Sequence, residues 1–205
     1  MEHFKNPQNT DLETLRFVVF DTETTGLNPK VDRILSIGTV AIEHKVIKIS
    51  DSFECYISQD IFNHESVKIH GLLKTGPHKK MEEKDAIVLF LNHIQNAVLI
   101  AHHAAFDIAM IQAALKRMGL GKLKNKVLDL GHVYKKAEIN RSLKAHVSLD
   151  ELAEQFNIPQ HDRHTASGDA YITSLLFLKI IAKYQQKKEI HLHDLQSPVS
   201  NIGFM

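Results

Sequence analysis

Cysteine occurs once in this 205-residue chain, as Cys55, and that near-absence excludes an intrachain disulfide framework and any cluster of thiolate ligands. A lone thiol in FECYI reads as a buried strand position in a reducing compartment. Long hydrophobic runs are missing too. The apolar stretches are broken by His or Lys well short of a membrane span, and no N-terminal stretch resembles a secretory signal, so a cytoplasmic protein with no membrane partner is expected. Charge of one sign is also lacking: 25 basic and 24 acidic residues leave a formal net charge of +1, so bulk charge names no partner. Internal repeats and low-complexity segments are absent.

What is present is a chain 43% hydrophobic, enough to bury one sizeable core without calling for a second domain. A single domain over 1–205 is expected, with a core at about 14–185 and a loose tail at 186–205. Histidine is abundant, at fourteen, and zinc has to be weighed for that reason. His161 with His164, and His191 with His193, have short spacings, but no cysteine accompanies them and the zinc signal is weak.

Periodicity organises the chain. Residues 16–20 read as a short apolar strand, and 33–42 with 46–57 as a hairpin turning at Glu43-His44-Lys45. Helical spacing follows at 64–70 and 82–94. Val98 to Ile100 read as a buried strand, and about 105–118 as a helix stopped by Gly119. A strand at 127–130, a helix at 148–156 with Ser148 and Glu151 at capping positions, and a long helix at 166–184 complete the pattern. Three hairpin strands and two strands interleaved with helices predict an α/β fold: a mixed five-stranded sheet flanked by helices.

On this scheme the chemistry gathers at strand ends. Asp21 and Glu23 in FDTETTGL are two apart, so an extended chain points both to one side. Asp107 in HHAAFD opens a helix, and His164 and Asp169 in HTASGDA flank the start of another. Singly, each has an ordinary explanation as a helix or turn cap. Together, four carboxylates at one sheet edge repel one another and call for a cation. Oxygen-only ligands favour Mg2+ or Mn2+, ions that commonly meet a phosphate. A phosphate ester is the expected substrate.

DTETTGL, HHAAFD and HTASGDA, in this order, resemble the three signature blocks of the DEDDh 3′-5′ exonucleases, the family of the proofreading ε subunit of bacterial DNA polymerase III. The resemblance spans roughly 16–180. DRILSIGTVAI, IHGL and SLDELAEQFNIP agree with it as secondary blocks. It implies a ribonuclease H-like fold and a water-driven cleavage of the terminal phosphodiester of single-stranded DNA. By that resemblance Asp21, Glu23 and Asp169 hold a first divalent cation, Asp21 and Asp107 serve a second, and His164 is the general base. Glu65, His70, His102 and His103 match positions at the substrate. Thr24, Thr25 and Leu27 are expected to offer backbone donors and an apolar wedge to the terminal nucleotide, and Phe106 to pack on it. Leu27, Phe106 and His70 also have plain structural readings.

The chain departs from the family at one point. It reads His102-His103-Ala104 where the usual block is His-Asn-Ala, which suggests a hydrogen-bonding ring with added pH sensitivity. Between Lys116 and Lys144, nine bases face only Asp129 and Glu138, and part of that surface is a candidate guide for the nucleic acid strand. Two other functions stay open: an RNA or oligoribonucleotide exonuclease, and a non-catalytic polymerase-associated binding module. The partners implied are a single-stranded 3′ end and, through the resemblance, a DNA polymerase. No evident clamp-binding motif follows Tyr184, and no oligomeric state can be read.

Overall fold

The apolar run from Phe17 becomes β1 (Arg16–Thr24), longer than expected because it continues through Asp21 and Glu23. The computed structural model describes residues 11–61, 63–74, 76–137 and 147–196. β2 (Ile34–Glu43) pairs antiparallel with β1, and β3 (Val46–Ile57) antiparallel with β2. Their connection is the two-residue turn His44-Lys45, where both residues have positive φ, as a tight hairpin turn requires. β4 (Lys80–Met81) adds parallel to β3, whereas β5 (Val98–Ala101) and β6 (Val127–Asp129) extend the other side in parallel. The sheet therefore has six strands, in the order β4-β3-β2-β1-β5-β6, not five. The additional strand, β4, has only two residues, too few for an alternating pattern.

Helices cover both faces. α1 (His64–His70), α2 (Glu83–Ile94) and α3 (Ala104–Arg117) precede β6. α4 (Leu130–Lys136), α5 (Leu149–Gln155), α6 (Ala166–Gln185) and α7 (Leu192–Leu195) follow it. α4 was not expected: Leu130, read as a strand end, begins a helix because Asp129 accepts the His132 N–H as its cap. α5 has the capping box predicted from Ser148 and Glu151. Within the segment expected to be loose, Ile190, Leu192 and Leu195 are buried, and His191 bridges to Asp11. Residues 1–10 and 197–205 lie outside the description, as do Glu138, Arg141 and Lys144.

Strand alternation divides the core. Phe17 and Val19 face α6, where Phe17 meets Phe177 with ring centroids 5.2 Å apart. Val18 and Phe20 face α2 and α3, with Phe20 against Phe90 at 5.3 Å. Each buried side chain of this size contributes about 1.5–3 kcal/mol, so both layers hold β1 firmly. Cys55 is buried among them, which pushes its thiol up to about 11, in keeping with a packing role. Among the described residues no helix is long and apolar enough to cross a membrane.

Candidate active site

The same alternation carries on past the core and decides where the acids go. Asp21 and Glu23 continue the face of Phe17 and Val19, toward α6, whereas Thr22 continues the face of Val18 and Phe20, toward α3. α6 begins directly over β2 because Gly38, the partner of Asp21 in the ladder, has no side chain. A Cβ there would lie 2.2 Å from the Ala166 carbonyl carbon and the Ser167 nitrogen. That close approach brings Asp169, in the first turn of α6, to the β1 acids. Ligand oxygens of Asp21, Glu23 and Asp169 all lie within 4.8 Å of one another. Among the described residues this is the set of three or more side chains that can converge on one ion, and no such set includes the histidines weighed for zinc.

Asp107 reaches the centre from the other layer. It is 3% exposed, and its Oδ1 accepts from Thr22 twice, from the hydroxyl at 2.6 Å and from the amide at 3.0 Å. Asp107 thus stands beside the triad, not within it. Burial raises its carboxyl to about 7 despite these hydrogen bonds, with the Asp129 charge adding to the rise. Asp21 is held well above the usual carboxylate range, first by burial and then by Asp107, Glu23 and Asp169. Glu23 is pushed up to about 8 by burial, Asp169 and Asp107. Asp21, Glu23 and Asp107, each held above the usual carboxylate range, fit a divalent cation, whose charge would remove the repulsion. Asp169 fits one specifically: its Oδ1 is buried with no hydrogen-bond partner in the structure.

His164 is exposed at the foot of α6, with φ 62. Thr165 caps the helix behind it by accepting from the Gly168 N–H at 3.1 Å. His102 and His103 stand just past β5, with ring centroids 4.2 Å apart. Burial and the neighbouring His103 lower His102 to about 4, so it is neutral at physiological pH. His103 occupies the left-handed region, φ 58 and ψ 42, and does not cap α3 through its side chain. Asp129 does that instead, its Oδ2 accepting from the Ala104 N–H at 2.8 Å. The position accepts His or Asn because both residue types tolerate positive φ.

Placement of the expected substrate contacts is mixed. Leu27 projects from its loop at 83% exposure. Thr24 is buried, its hydroxyl donating to the Gly26 carbonyl. Thr25 departs from expectation: its N–H already donates to the Arg33 carbonyl at 2.9 Å, and its hydroxyl to Asp32, so it offers no free backbone donor. Glu65 is exposed and paired with Lys68. His70 is buried, accepts from the Leu72 N–H through Nδ1, and is lowered by that burial. Phe106 is partly buried against the α2–α3 core.

The profile of the family described as Exonuclease (RNase T) matches residues 18–177. This chain belongs to the exonuclease family. A PolC-type DNA polymerase III of Caldanaerobacter subterraneus subsp. tengcongensis is 35% identical over 174 residues, covering 83% of this exonuclease chain and 12% of the relative. One of Listeria innocua is 31% identical over 195 residues, covering 92% and 13%. The chain spans about an eighth of the length of these curated relatives. E. coli Exonuclease I in complex with a dT13 oligonucleotide shares its fold with a TM-score of 0.72 at 16% identity, over 84% of this chain and 42% of that one. Exonuclease X in complex with 5′ overhanging duplex DNA gives 0.62 at 19% identity, over 81% and 91%. The mixed, helix-flanked sheet is the ribonuclease H-like arrangement of such exonucleases. Membership implies a nuclease that uses a divalent metal.

Three residues of this candidate site escaped the sequence reading. Thr22 holds Asp107, Asp129 caps both α3 and α4, and Arg163 pairs with Asp150 and Asp169. The apolar strand ending in Asp before a helical run was a usable cap signal for Asp129, and alternation alone turned Thr22 toward α3. The candidate basic guide divides: Lys135 and Lys136 close α4, Arg141 and Lys144 lie outside the described residues, and the other five bases lie away from the acids. α3 starts at the site and runs 14 residues, about 20 Å, away from it, so Lys116, Arg117, Lys122, Lys124 and Lys126 lie toward the opposite end of the sheet. Arg117 pairs with Glu83, and Lys136 donates to carbonyls of the α7 segment.

Proposed function

We propose that this chain is a 3′-5′ exonuclease that hydrolyses the terminal phosphodiester of single-stranded DNA and releases nucleoside monophosphates. The observation that carries the reading is the convergence of Asp21, Glu23 and Asp169 within 4.8 Å, with Asp107 alongside on Thr22. Asp21, Glu23 and Asp169 would hold one Mg2+ or Mn2+, and Asp21 with Asp107 would serve a second. Bound there, such ions lower the pKa of water and stabilise charge on the attacking and leaving oxygens.

The chain's own residues then have separate tasks. His164, exposed on the loop before α6, takes the proton of the attacking water, a transfer suited to an imidazole because its basicity lies near neutrality. Leu27, exposed, abuts the terminal base, and α1, tied to the Thr25 carbonyl through its cap Asn63, flanks the same loop. Thr22 holds the Asp107 carboxylate in place beside the triad through its two hydrogen bonds. The likeness to PolC-type polymerases supports a DNA polymerase as the assembly in which the domain works.

A ladder assay on 3′-labelled and 5′-labelled single strands, DNA and RNA in parallel and with Mg2+ and Mn2+ titrated, tests the reading. The 5′-labelled DNA should shorten one nucleotide at a time, the 3′ label should leave at once as a mononucleotide, and Asp21→Ala should abolish both. Release from the 5′ end, preference for RNA, or activity surviving in Asp21→Ala would overturn it.

A further inference from the structure

Arg163 sits between two residues of positive φ, Asp162 at 55 and His164 at 62, in the loop that carries the proposed base. Non-glycine residues in that region persist only when surrounding contacts hold them, since each is unfavourable by about 1 kcal/mol or more. The loop has a backbone tie, the Asp162 carbonyl accepting from Thr165. Its side-chain tie is Arg163. Nε donates to Asp150 Oδ1 at 2.6 Å, and Nη1 donates to Asp169 Oδ2. One planar guanidinium thereby joins α5, through Asp150 next to the Ser148 cap, to α6, through Asp169.

This fork selects which oxygen Asp169 presents. Oδ2 is occupied by Arg163, and Oδ1 is left buried with no hydrogen-bond partner in the structure. Arg163 is 17% exposed and Asp169 10%, so the pair is protected from solvent, whereas Asp150 is 54% exposed and serves as the outer anchor. A guanidinium is suited to the task because its edges can engage two carboxylates in fixed directions. A lysine ammonium at the end of a flexible stem has no such fork.

We propose that Arg163 is a positioning residue: clamped by Asp150, it fixes the Asp169 carboxylate with one oxygen free for the cation and holds the His164 loop over the same site. The proposal rests on reading the acidic centre as a metal site. Charge and geometry make opposite claims about it. A positive guanidinium near a cation repels that cation, so if charge alone counted, removing it would tighten metal binding. If the clamp counts, removal loosens the ligand and weakens binding, as loss of a partner behind a metal ligand typically does by about 10–100-fold.

The test is Mn2+ binding to the nucleic-acid-free protein, read from the free-ion signal by electron paramagnetic resonance, alongside kcat at saturating Mn2+. Arg163→Gln and Arg163→Lys should each weaken Mn2+ binding about tenfold or more. Asp150→Asn, which leaves Arg163 in place but removes its outer anchor, should weaken it in the same direction by less. In all three, kcat at saturating Mn2+ should fall as well, because the His164 loop is released. Binding in Arg163→Gln or Arg163→Lys as tight as wild type, or tighter, overturns the clamp. Asp21→Asn separates the two claims. If it binds Mn2+ like wild type, the metal site itself is wrong; if it loses binding while the Arg163 variants keep it, only the clamp fails.

Discussion

Replacing Gly38 by alanine tests the close approach of α6 to the sheet with a single methyl group. That carbon would lie 2.2 Å from the carbonyl carbon of Ala166 and from the amide nitrogen of Ser167, and 2.4 Å from the Ala166 oxygen. Carbon contacts are comfortable from about 3.5 Å, so the first turn of α6 has to retreat by about 1 Å. The obstacle is backbone, with no flexible side-chain end that could swing aside. Overpacking of this kind typically destabilises by about 1–3 kcal/mol, and for a chain of this length each kcal/mol lowers the melting temperature by about 2–4 °C. A drop of about 2–12 °C is expected. Asp169 rides on the displaced turn, and a 1 Å misplacement at a reacting centre costs on the order of 100-fold in rate. Gly38→Ala should therefore stay folded at 25 °C, lose about 100-fold in metal-dependent cleavage, and bind Mn2+ more weakly. Gly121→Ala, with nothing within 4 Å of the new carbon, is the control for an added methyl. Wild-type cleavage and Mn2+ affinity in Gly38→Ala would refute the claim that this approach sets the acidic centre.

Other consequences are open to measurement. Glu23 and Asp107, raised to about 8 and about 7, favour the folded state when protonated, so their contribution is complete below the ordinary carboxylate range and is lost as pH rises through 7–8. Between pH 7 and 8.5, above the ordinary histidine value, metal-free protein should lose about 1–2 kcal/mol. Mn2+ should restore most of it, and a flat melting temperature in chelator across that window would count against the buried acids. Thr22→Val removes the 2.6 Å hydroxyl bond to Asp107 Oδ1 and should lower cleavage about tenfold or more at fixed Mn2+, with a melting change of about 1–2 kcal/mol; unchanged cleavage would make Thr22 a packing residue only. His103→Asn keeps a residue tolerant of φ 58 and should melt within a degree or two of wild type, whereas His103→Val should melt several degrees lower. Reversing Lys122, Lys124 and Lys126 to Glu should leave cleavage of short oligonucleotides within about twofold, since these residues lie toward the end of the sheet opposite the acids. A tenfold loss would show that these three lysines belong to the guide.

The acidic centre was legible because its members sit in contiguous blocks whose spacing matches local geometry: two positions along a strand, or the first turn of a helix. What supports those members was less visible. Thr22 and Asp107 are 85 positions apart, and their contact follows only once β1 has a helical layer on each side. Arg163 reads as one more base beside a signature histidine, because its partner Asp150 belongs to a different helix. The lysines after α3 looked like a strand guide in one dimension, and only the direction of α3 shows that they point the other way. β4 was invisible for a simpler reason: two residues paired with β3 carry no periodic signal.

The division of β1 between two layers has a consequence for how the protein comes into being. Asp169 arrives with the packing of α6 on one side, Asp107 with that of α3 on the other, and neither side can complete the quartet without its counterpart. A newly made or partly unfolded chain therefore carries its acids scattered and harmless, and the capacity to cut appears only after both halves have docked.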